Sequence, residues 1–181
     1  MPKYPKARQL NLYPSPWRTA EGLGLPASSF MVGRFPGLLA GMSYPRANFP
    51  WQKLYDQDIR HVVCLCNREP VYSPTPCKFA YCTDLEDLAG GYTPTDPEKE
   101  AIKVKAASEA VLTLLAAKEG VVVHCIGGRG RTGTVLGTVL IKLGMPAGVA
   151  ITYLNGIYRQ YDRGGWPESP WAANYLASLT K

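Results

Sequence analysis

The residues best suited to chemistry lie in one stretch that joins a strand-like segment to a helix-like segment. Residues 121–123 are three valines, which favour a buried strand, and the apolar run 135–143 favours a helix. Between them stand Cys125 and Arg131, separated by five residues that include three glycines. A loop that closes onto a helix N-terminus directs backbone N–H groups and partial positive charge at one point. The pattern therefore predicts a binding site for an anion such as phosphate.

The side chains of this loop also suit the transfer of a phosphoryl group. Arg131 can bind two phosphate oxygens through its planar guanidinium, and Cys125 in positive surroundings can act as a thiolate nucleophile that forms a phosphocysteine. Thr132 is predicted to donate a hydrogen bond to the departing sulfur, and His124 to face the packed side of the loop and fix its shape. The predicted phosphate-binding residues are Ile126, Gly127, Gly128, Arg129, Gly130 and Arg131. The alternative is a buried, inert Cys125 in an ordinary turn.

The same loop also matches a second, competing motif. Residues 128–133 fit G-x-G-x-x-G, the fingerprint of dinucleotide-binding proteins. That motif needs an acidic residue about 20 positions later to hold the ribose, and it normally opens the first βαβ unit. Here residues 151–153 are Ile, Thr and Tyr, the next acid is Asp162, and the motif falls late in the chain. A dinucleotide-binding protein is therefore a distant alternative.

Length and composition favour one globular domain. The chain has 181 residues, of which 46% are hydrophobic, and no run of 18 apolar residues predicts a membrane span. The N-terminus shows no apolar segment of the signal-peptide type, although a removed leader would leave the same sequence. Five cysteines form no regular disulfide framework, and a catalytic thiolate needs reducing surroundings, so we expect a cytoplasmic protein.

The net charge of +6 is unevenly distributed. Residues 101–181, which contain the cysteine loop, hold nine Lys or Arg against four Asp or Glu. A basic cleft attracts anionic substrates, so the expected partner is a phosphorylated molecule. No repeat of basic and aromatic residues predicts nucleic acid binding, and nothing predicts an oligomeric state.

Strand and helix patterns alternate along most of the chain. They predict an α/β fold with a mainly parallel central sheet of about five strands and helices on both faces. Residues 1–29, rich in proline, are predicted as an extended arm packed on a domain of residues 30–181. The predicted strands are 30–33, 38–41, 61–66, 78–82 and 121–123, and the predicted helices are 50–56, 96–118, 131–143, one opened by Pro146, and 171–179.

The loop resembles the phosphate-binding loop of the protein-tyrosine phosphatase superfamily. It has a histidine before the cysteine, five residues between the cysteine and the arginine, and a threonine after the arginine. Residues 36–46, PGLLAGMSYPR, resemble the first strands of small dual-specificity phosphatases. The resemblance extends over roughly residues 30–180 and is most specific at residues 124–134. It implies a dual-specificity phosphatase-like fold that hydrolyses phosphomonoesters without a metal or another cofactor.

The resemblance also indicates where a general acid belongs. In small phosphatases of this superfamily the acid follows the strand, and precedes the helix, that come before the cysteine loop. Residues 83–87, TDLED, resemble the Pro-Ile-Glu-Asp found there and put Asp87 in the acid's place, with Asp84 as the alternative. Asp96 fits a helix cap better. Residues 166–168, Trp-Pro-Glu, resemble the acid loop of classical tyrosine phosphatases but follow the cysteine loop, so we interpret them as a structural turn that could line the cleft.

Two further resemblances concern substrate and redox chemistry. Arg129 is an extra cation where tensin-homologue phosphoinositide phosphatases have lysine, which favours an inositol polyphosphate or phosphoinositide. Phosphotyrosine is the alternative, with Arg129 exposed or paired to Asp84 or Glu86. Residues 64–69, CLCNRE, resemble the Leu-Cys-Ala-Glu-Arg of those lipid phosphatases. Cys66, or Cys64, is thus a possible resolving thiol, unless both are simply small core residues.

Other classes of protein agree less well with the sequence. A zinc site formed by the four remaining cysteines lacks paired C-x-x-C spacing. A non-catalytic phosphate-binding module would be expected to lack Cys125 or Arg131, and sulfurtransferases rarely have arginine at this spacing. The family's water-positioning glutamine has no counterpart at Glu168, which leaves that role open.

Overall fold

The computed structural model describes residues 11–12, 25–66, 72–160 and 165–179. The predicted N-terminal arm lies mostly outside these ranges. The elements, in chain order, are β1 (Asn11–Leu12), β2 (Ser29–Phe35), β3 (Gly37–Met42), α1 (Trp51–Asp56), β4 (Ile59–Cys64), β5 (Lys78–Cys82), α2 (Pro97–Ala116), β6 (Gly120–His124), α3 (Gly130–Lys142), α4 (Ala147–Gln160) and α5 (Pro170–Ser178). No helix within the described ranges is both long enough and apolar enough to cross a bilayer.

The strands form one sheet in the order β1-β2-β3-β6-β4-β5. The pairs β3–β6, β6–β4 and β4–β5 are parallel, whereas β1, β2 and β3 pair antiparallel. The two-residue strand β1 adds an edge to a sheet of five longer strands. This confirms the predicted mainly parallel sheet.

Both faces of the sheet are covered. Side chains alternate across β6, so Val121 and Val123 belong to one apolar core while Val122 belongs to the other. The first core contains residues of α2, α3, α4 and α5, and the second contains Trp51 and Leu54 of α1. Helices therefore flank both faces, as predicted.

Helix α2 shows how the chain leads into the central strand. The Asp96 carboxylate accepts a hydrogen bond from the Lys99 N–H at 3.1 Å, which caps the helix as the sequence predicts. After α2 the backbone turns through Lys118, at φ 66°, to Gly120, where a Cβ would overlap the Asp58 carbonyl. The chain thus enters β6 beside β4.

The register of β4 and β6 brings the chemistry to one edge of the sheet. Cys64 is paired with His124, so both strands end at the same level. The Leu65 N–H continues the contact by donating to the His124 carbonyl at 2.9 Å. Because parallel strands end at the same edge, residues after Cys64 and after His124 are neighbours.

Candidate active site

The loop after β6 turns sharply and closes onto the first residue of α3. Gly128 has φ 69°, and a Cβ there would lie 2.5 Å from the Met42 carbonyl, so only glycine fits without strain. The Tyr44 N–H donates to the Ile126 carbonyl at 2.8 Å and ties the loop to the segment after β3. Helix α3 begins at Gly130, so its free N–H groups point towards the loop.

His124 is fully buried beneath this loop. Its Nδ1 lies 3.2 Å from the Cys125 carbonyl, which only accepts, so Nδ1 carries the proton. Its Nε2 lies 2.5 Å from the Tyr72 hydroxyl. Burial raises the pKa of Tyr72, so the phenol keeps its proton and donates to Nε2. This geometry suits the loop-supporting role predicted for His124.

One open cleft of about 480 Å³ brings together residues from distant parts of the chain. Arg131, whose side chain is 11% exposed, donates from Nη2 to Asp87 Oδ2 at 2.8 Å. Its Nη1 donates to the Leu85 carbonyl at 3.4 Å. The cleft is lined by Ser43, Asp87, Ala89, Cys125, Ile126, Gly127, Arg129, Gly130, Arg131 and Glu168.

The two candidate acids lie in different surroundings. Asp87 lines the cleft and its side chain is 59% exposed, whereas Asp84 is exposed and is not part of the cleft lining. The backbone carbonyl of Asp84 accepts from Lys103 Nζ at 2.8 Å, which fixes that end of the loop. The geometry therefore favours Asp87 over Asp84.

Two glutamates hold the loop that carries Asp87. Hydrogen bonds from the Thr95 N–H and hydroxyl lower the pKa of Glu86, which accepts from that hydroxyl at 2.8 Å. The buried Glu100 accepts from the Glu86 N–H at 2.8 Å, and burial raises the pKa of Glu100. Because Asp87 directly follows Glu86, these bonds fix its position relative to α2.

Sequence reasoning missed the partner of Arg129. Glu168 Oε1 accepts from Arg129 Nε at 2.6 Å and also contacts Nη2. The sequence had offered only Asp84 or Glu86 as partners, in the alternative to a substrate contact. A Cβ on Gly130 would overlap Glu168 Oε2, so the carboxylate lies against the loop. Trp166 is buried in the core against Tyr158, which anchors the segment. The Trp-Pro-Glu sequence was the available signal, but no spacing rule connects residues 39 apart.

Thr132 is fully buried, and its Oγ1 makes no hydrogen bond with any residue in the described ranges. The predicted donation to Cys125 Sγ is thus not formed in this structure. An unpaired buried hydroxyl costs about 1–3 kcal/mol. The Thr132 hydroxyl therefore has a hydrogen bond available for another group.

Cys64 and Cys66 bring their sulfurs to 3.9 Å, and each of the five cysteines is a free thiol. The hydrogen bond from Cys66 lowers the pKa of Cys64. The bond to Cys64 and burial raise the pKa of Cys66.

Several solved structures of phosphatases share this fold, at low sequence identity to this chain. Kinase associated phosphatase, with its catalytic-site cysteine replaced by serine, is 18% identical with a TM-score of 0.60, and the match covers 78% of this chain and 85% of that one. Human DUSP28 is 14% identical, with a TM-score of 0.58 and coverages of 78% and 90%. PTPMT1 in complex with PI(5)P is 16% identical, with a TM-score of 0.56 and coverages of 78% and 89%.

A family model described as the PTP-SAK "Swiss Army Knife protein, DSP-PTPase phosphatase domain" matches residues 29–155. The match includes β2 to β6, the cysteine loop and most of α4. The glycine motif at residues 128–133 thus lies inside a phosphatase domain rather than a dinucleotide-binding one. The chain belongs to the dual-specificity phosphatases of the protein-tyrosine phosphatase superfamily and is a cysteine phosphatase.

Proposed function

We propose that the protein hydrolyses a phosphomonoester of a polyanion, such as an inositol polyphosphate or a phosphoinositide, with Cys125 as nucleophile. The observation that supports this most directly is the cleft in which Cys125, Arg131 and Asp87 meet. Arg131 and the N–H groups of residues 126–130 bind the phosphate, and Asp87 serves as acid and then as base. His124 positions the loop.

The reaction proceeds in two displacements. The phosphate dianion replaces the Asp87 carboxylate on Arg131, and Cys125 Sγ attacks phosphorus while the P–O bond to the leaving group breaks. Asp87, released from Arg131 as a carboxylate, takes up a proton from solvent and gives it to the leaving oxygen. Water then attacks phosphorus and loses a proton to Asp87, and the S–P bond breaks to release phosphate and the Cys125 thiolate.

Thr132 assists the second displacement. Its buried hydroxyl has a free hydrogen bond in the described structure, and Cys125 lies seven residues earlier at the start of the same loop. Donation to the departing sulfur would stabilise the thiolate and satisfy the hydroxyl at the same time. The unpaired Oγ1 supports this role.

The charge of Arg129 supports a substrate with more than one phosphate, provided that the second phosphate displaces Glu168. Because Glu168 already neutralises Arg129, a substrate with a single phosphate leaves no loop charge without a partner, and the pair therefore favours the second candidate, a phosphotyrosine or dual-specificity protein phosphatase. PTPMT1, solved in complex with PI(5)P, indicates that this fold accommodates a phosphoinositide.

Phosphate release measured across phosphoinositides, inositol polyphosphates and phosphotyrosine peptides distinguishes the candidates. We expect a kcat/KM at least tenfold higher for the substrates with several phosphates, and no release by Cys125→Ser. A higher kcat/KM on phosphotyrosine peptides would select the second candidate. Release of phosphate by Cys125→Ser at the wild-type rate would contradict the mechanism.

The cysteines also bear on where the protein acts. A thiolate nucleophile and five free thiols suit a reducing compartment such as the cytoplasm. Cys66 follows β4 and Cys125 follows β6 at the same edge of the sheet, which supports Cys66 as the thiol that captures an oxidised Cys125 in a reversible disulfide. This role of Cys66 belongs to the proposal.

A further inference from the structure

Three side chains of types that commonly bind metal ions lie together beneath the cysteine loop. The proposed phosphatase mechanism uses no metal, so it gives them no role as ligands. The thiols of Cys64 and Cys66 and a ring nitrogen of His124 all lie within 4.8 Å of one another, and all three residues are buried. We propose that Cys64, Cys66 and His124 form a binding site for one thiophilic metal ion, Zn²⁺ or Cu⁺. These two ions share a preference for thiolate and imidazole ligands.

The distance between the two sulfurs is the one that such an ion requires. A metal held about 2.3 Å from two thiolates separates their sulfurs by about 3.8 Å in a tetrahedral site and about 4.0 Å in a trigonal one. The Sγ atoms of Cys64 and Cys66 are 3.9 Å apart. The strand pairing of Cys64 with His124 holds the third ligand at the same edge of the sheet.

The tautomer of His124 leaves one ring nitrogen without a proton. Nδ1 donates its proton to the Cys125 carbonyl, so Nε2 carries the lone pair that a metal requires. A histidine ligand that donates its other N–H to a backbone carbonyl is the usual arrangement around protein-bound metals, because that hydrogen bond fixes the ring. The metal would therefore bind while the contact with the loop is kept.

Tyr72 competes with the metal for that lone pair. Its hydroxyl lies 2.5 Å from His124 Nε2 and must release the ring when an ion binds. Binding of the ion also displaces the two thiol protons to solvent, one from each cysteine, with no change of oxidation state. Removal of the Tyr72 hydroxyl should thus strengthen metal binding, an effect opposite to that expected of a group with a merely structural role.

Cys77 offers a matched control. It is buried like Cys64 and Cys66, but its thiol donates to the Ile59 carbonyl at 3.2 Å and it is not part of the cluster. From the sequence, the cysteines can be grouped only by their spacing, and the zinc site weighed there used four cysteines. The structure instead groups two of them with His124.

The test is equilibrium dialysis of the full chain against ZnCl₂, and separately against Cu⁺ buffered by a competing chelator, followed by elemental analysis. We expect one equivalent of at least one ion in the wild type, in Cys77→Ser and in Cys125→Ser. The affinity for the ion should fall at least about tenfold in Cys64→Ser and in Cys66→Ser. A loss of that size is typical even when the group removed only hydrogen-bonds to a metal ligand. It should rise in Tyr72→Phe.

Thermal unfolding establishes that each variant is folded, and a Co²⁺-loaded sample reports thiolate ligands through its charge-transfer absorption.

Two outcomes would overturn the proposal. One is a wild-type chain that binds neither ion, and the other is binding that survives in Cys64→Ser and Cys66→Ser but is lost in Cys125→Ser. The second outcome would place the ion on the catalytic thiolate, and neither depends on which phosphorylated substrate the enzyme uses.

Discussion

Arg131 Nη2 lies 2.8 Å from Asp87 Oδ2, so the guanidinium of one residue binds the carboxylate of the other across the cleft. The two residues are 44 positions apart in the chain. A bound phosphate would take the place of this carboxylate on Arg131 and free Asp87 for the leaving group. In the proposed mechanism, the contact would therefore connect substrate binding to delivery of the proton.

Asp87→Ala should slow poor leaving groups far more than good ones. Loss of a general acid typically costs about 10²–10⁴-fold, and alkyl phosphates depend on that proton more than p-nitrophenyl phosphate does. Comparison of kcat for the two substrates measures the difference. If Asp84→Ala shows this pattern and Asp87→Ala does not, the acid is Asp84.

Glu168→Gln should change which substrates are preferred. Removal of the carboxylate's charge weakens its hold on Arg129, so the KM for a substrate with a second phosphate should fall several-fold relative to that for a monophosphate. Arg129→Ala should have the opposite effect. Equal KM ratios in both variants and the wild type would show that Arg129 does not contact the second phosphate.

Gly128→Ala should destabilise the catalytic loop. Its positive φ and the 2.5 Å approach of a Cβ to the Met42 carbonyl predict a loss of about 1–3 kcal/mol in the free energy of unfolding. Gly127→Ala is the matched control, because nothing lies within 4 Å of a Cβ at Gly127. Urea unfolding of the two variants measures the difference, and similar losses would contradict this account of the loop.

Glu100 should make the protein less stable as the pH rises. Burial raises its pKa above the ordinary value of 4.5, so the folded state binds more protons than the unfolded state, and stability is lost as pH rises from 4.5 through the folded pKa. Glu100→Gln keeps the acceptor for the Glu86 N–H and should flatten the pH dependence in that window. Urea unfolding of both proteins across that pH range measures the effect. If the free energy of unfolding of Glu100→Gln falls with pH as steeply as that of the wild type, other groups cause the pH dependence.

Cys66→Ser should make oxidative inactivation irreversible. In the wild type the Cys66 thiol is expected to condense with a Cys125 sulfenic acid, forming a disulfide and releasing water, and dithiothreitol should then restore activity. Peptide mass spectrometry after peroxide treatment identifies the bond. A wild type that forms no Cys66–Cys125 disulfide, or a Cys66→Ser variant that recovers fully, would remove Cys66 from this role.

Much of the fold and the centre of the site follow from local patterns. The valines of β6, the glycines of the loop and the apolar run of α3 each express a preference of neighbouring residues, and the strand–loop–helix order brings Cys125 and Arg131 to one loop. Helix α2 was predicted as 96–118 and is Pro97–Ala116, because Asp96 and Pro97 mark its start clearly. Such signals involve only neighbouring residues, so one sequence is enough to detect them.

The long-range contacts depended on the tertiary structure. Choosing Asp87 over Asp84 requires the path of a loop held by Glu86 and Glu100, and pairing Arg129 with Glu168 requires Trp166 to be anchored in the core. The cluster of Cys64, Cys66 and His124 depends on the register of two strands, where a shift of one residue would turn every side chain to the other face. The sequence by itself was enough to predict Cys125 as nucleophile, Arg131 as its partner and the loop that joins them, since all lie within a few residues of one another. Packing decided which distant side chains meet them, because register and loop path are properties of the whole core.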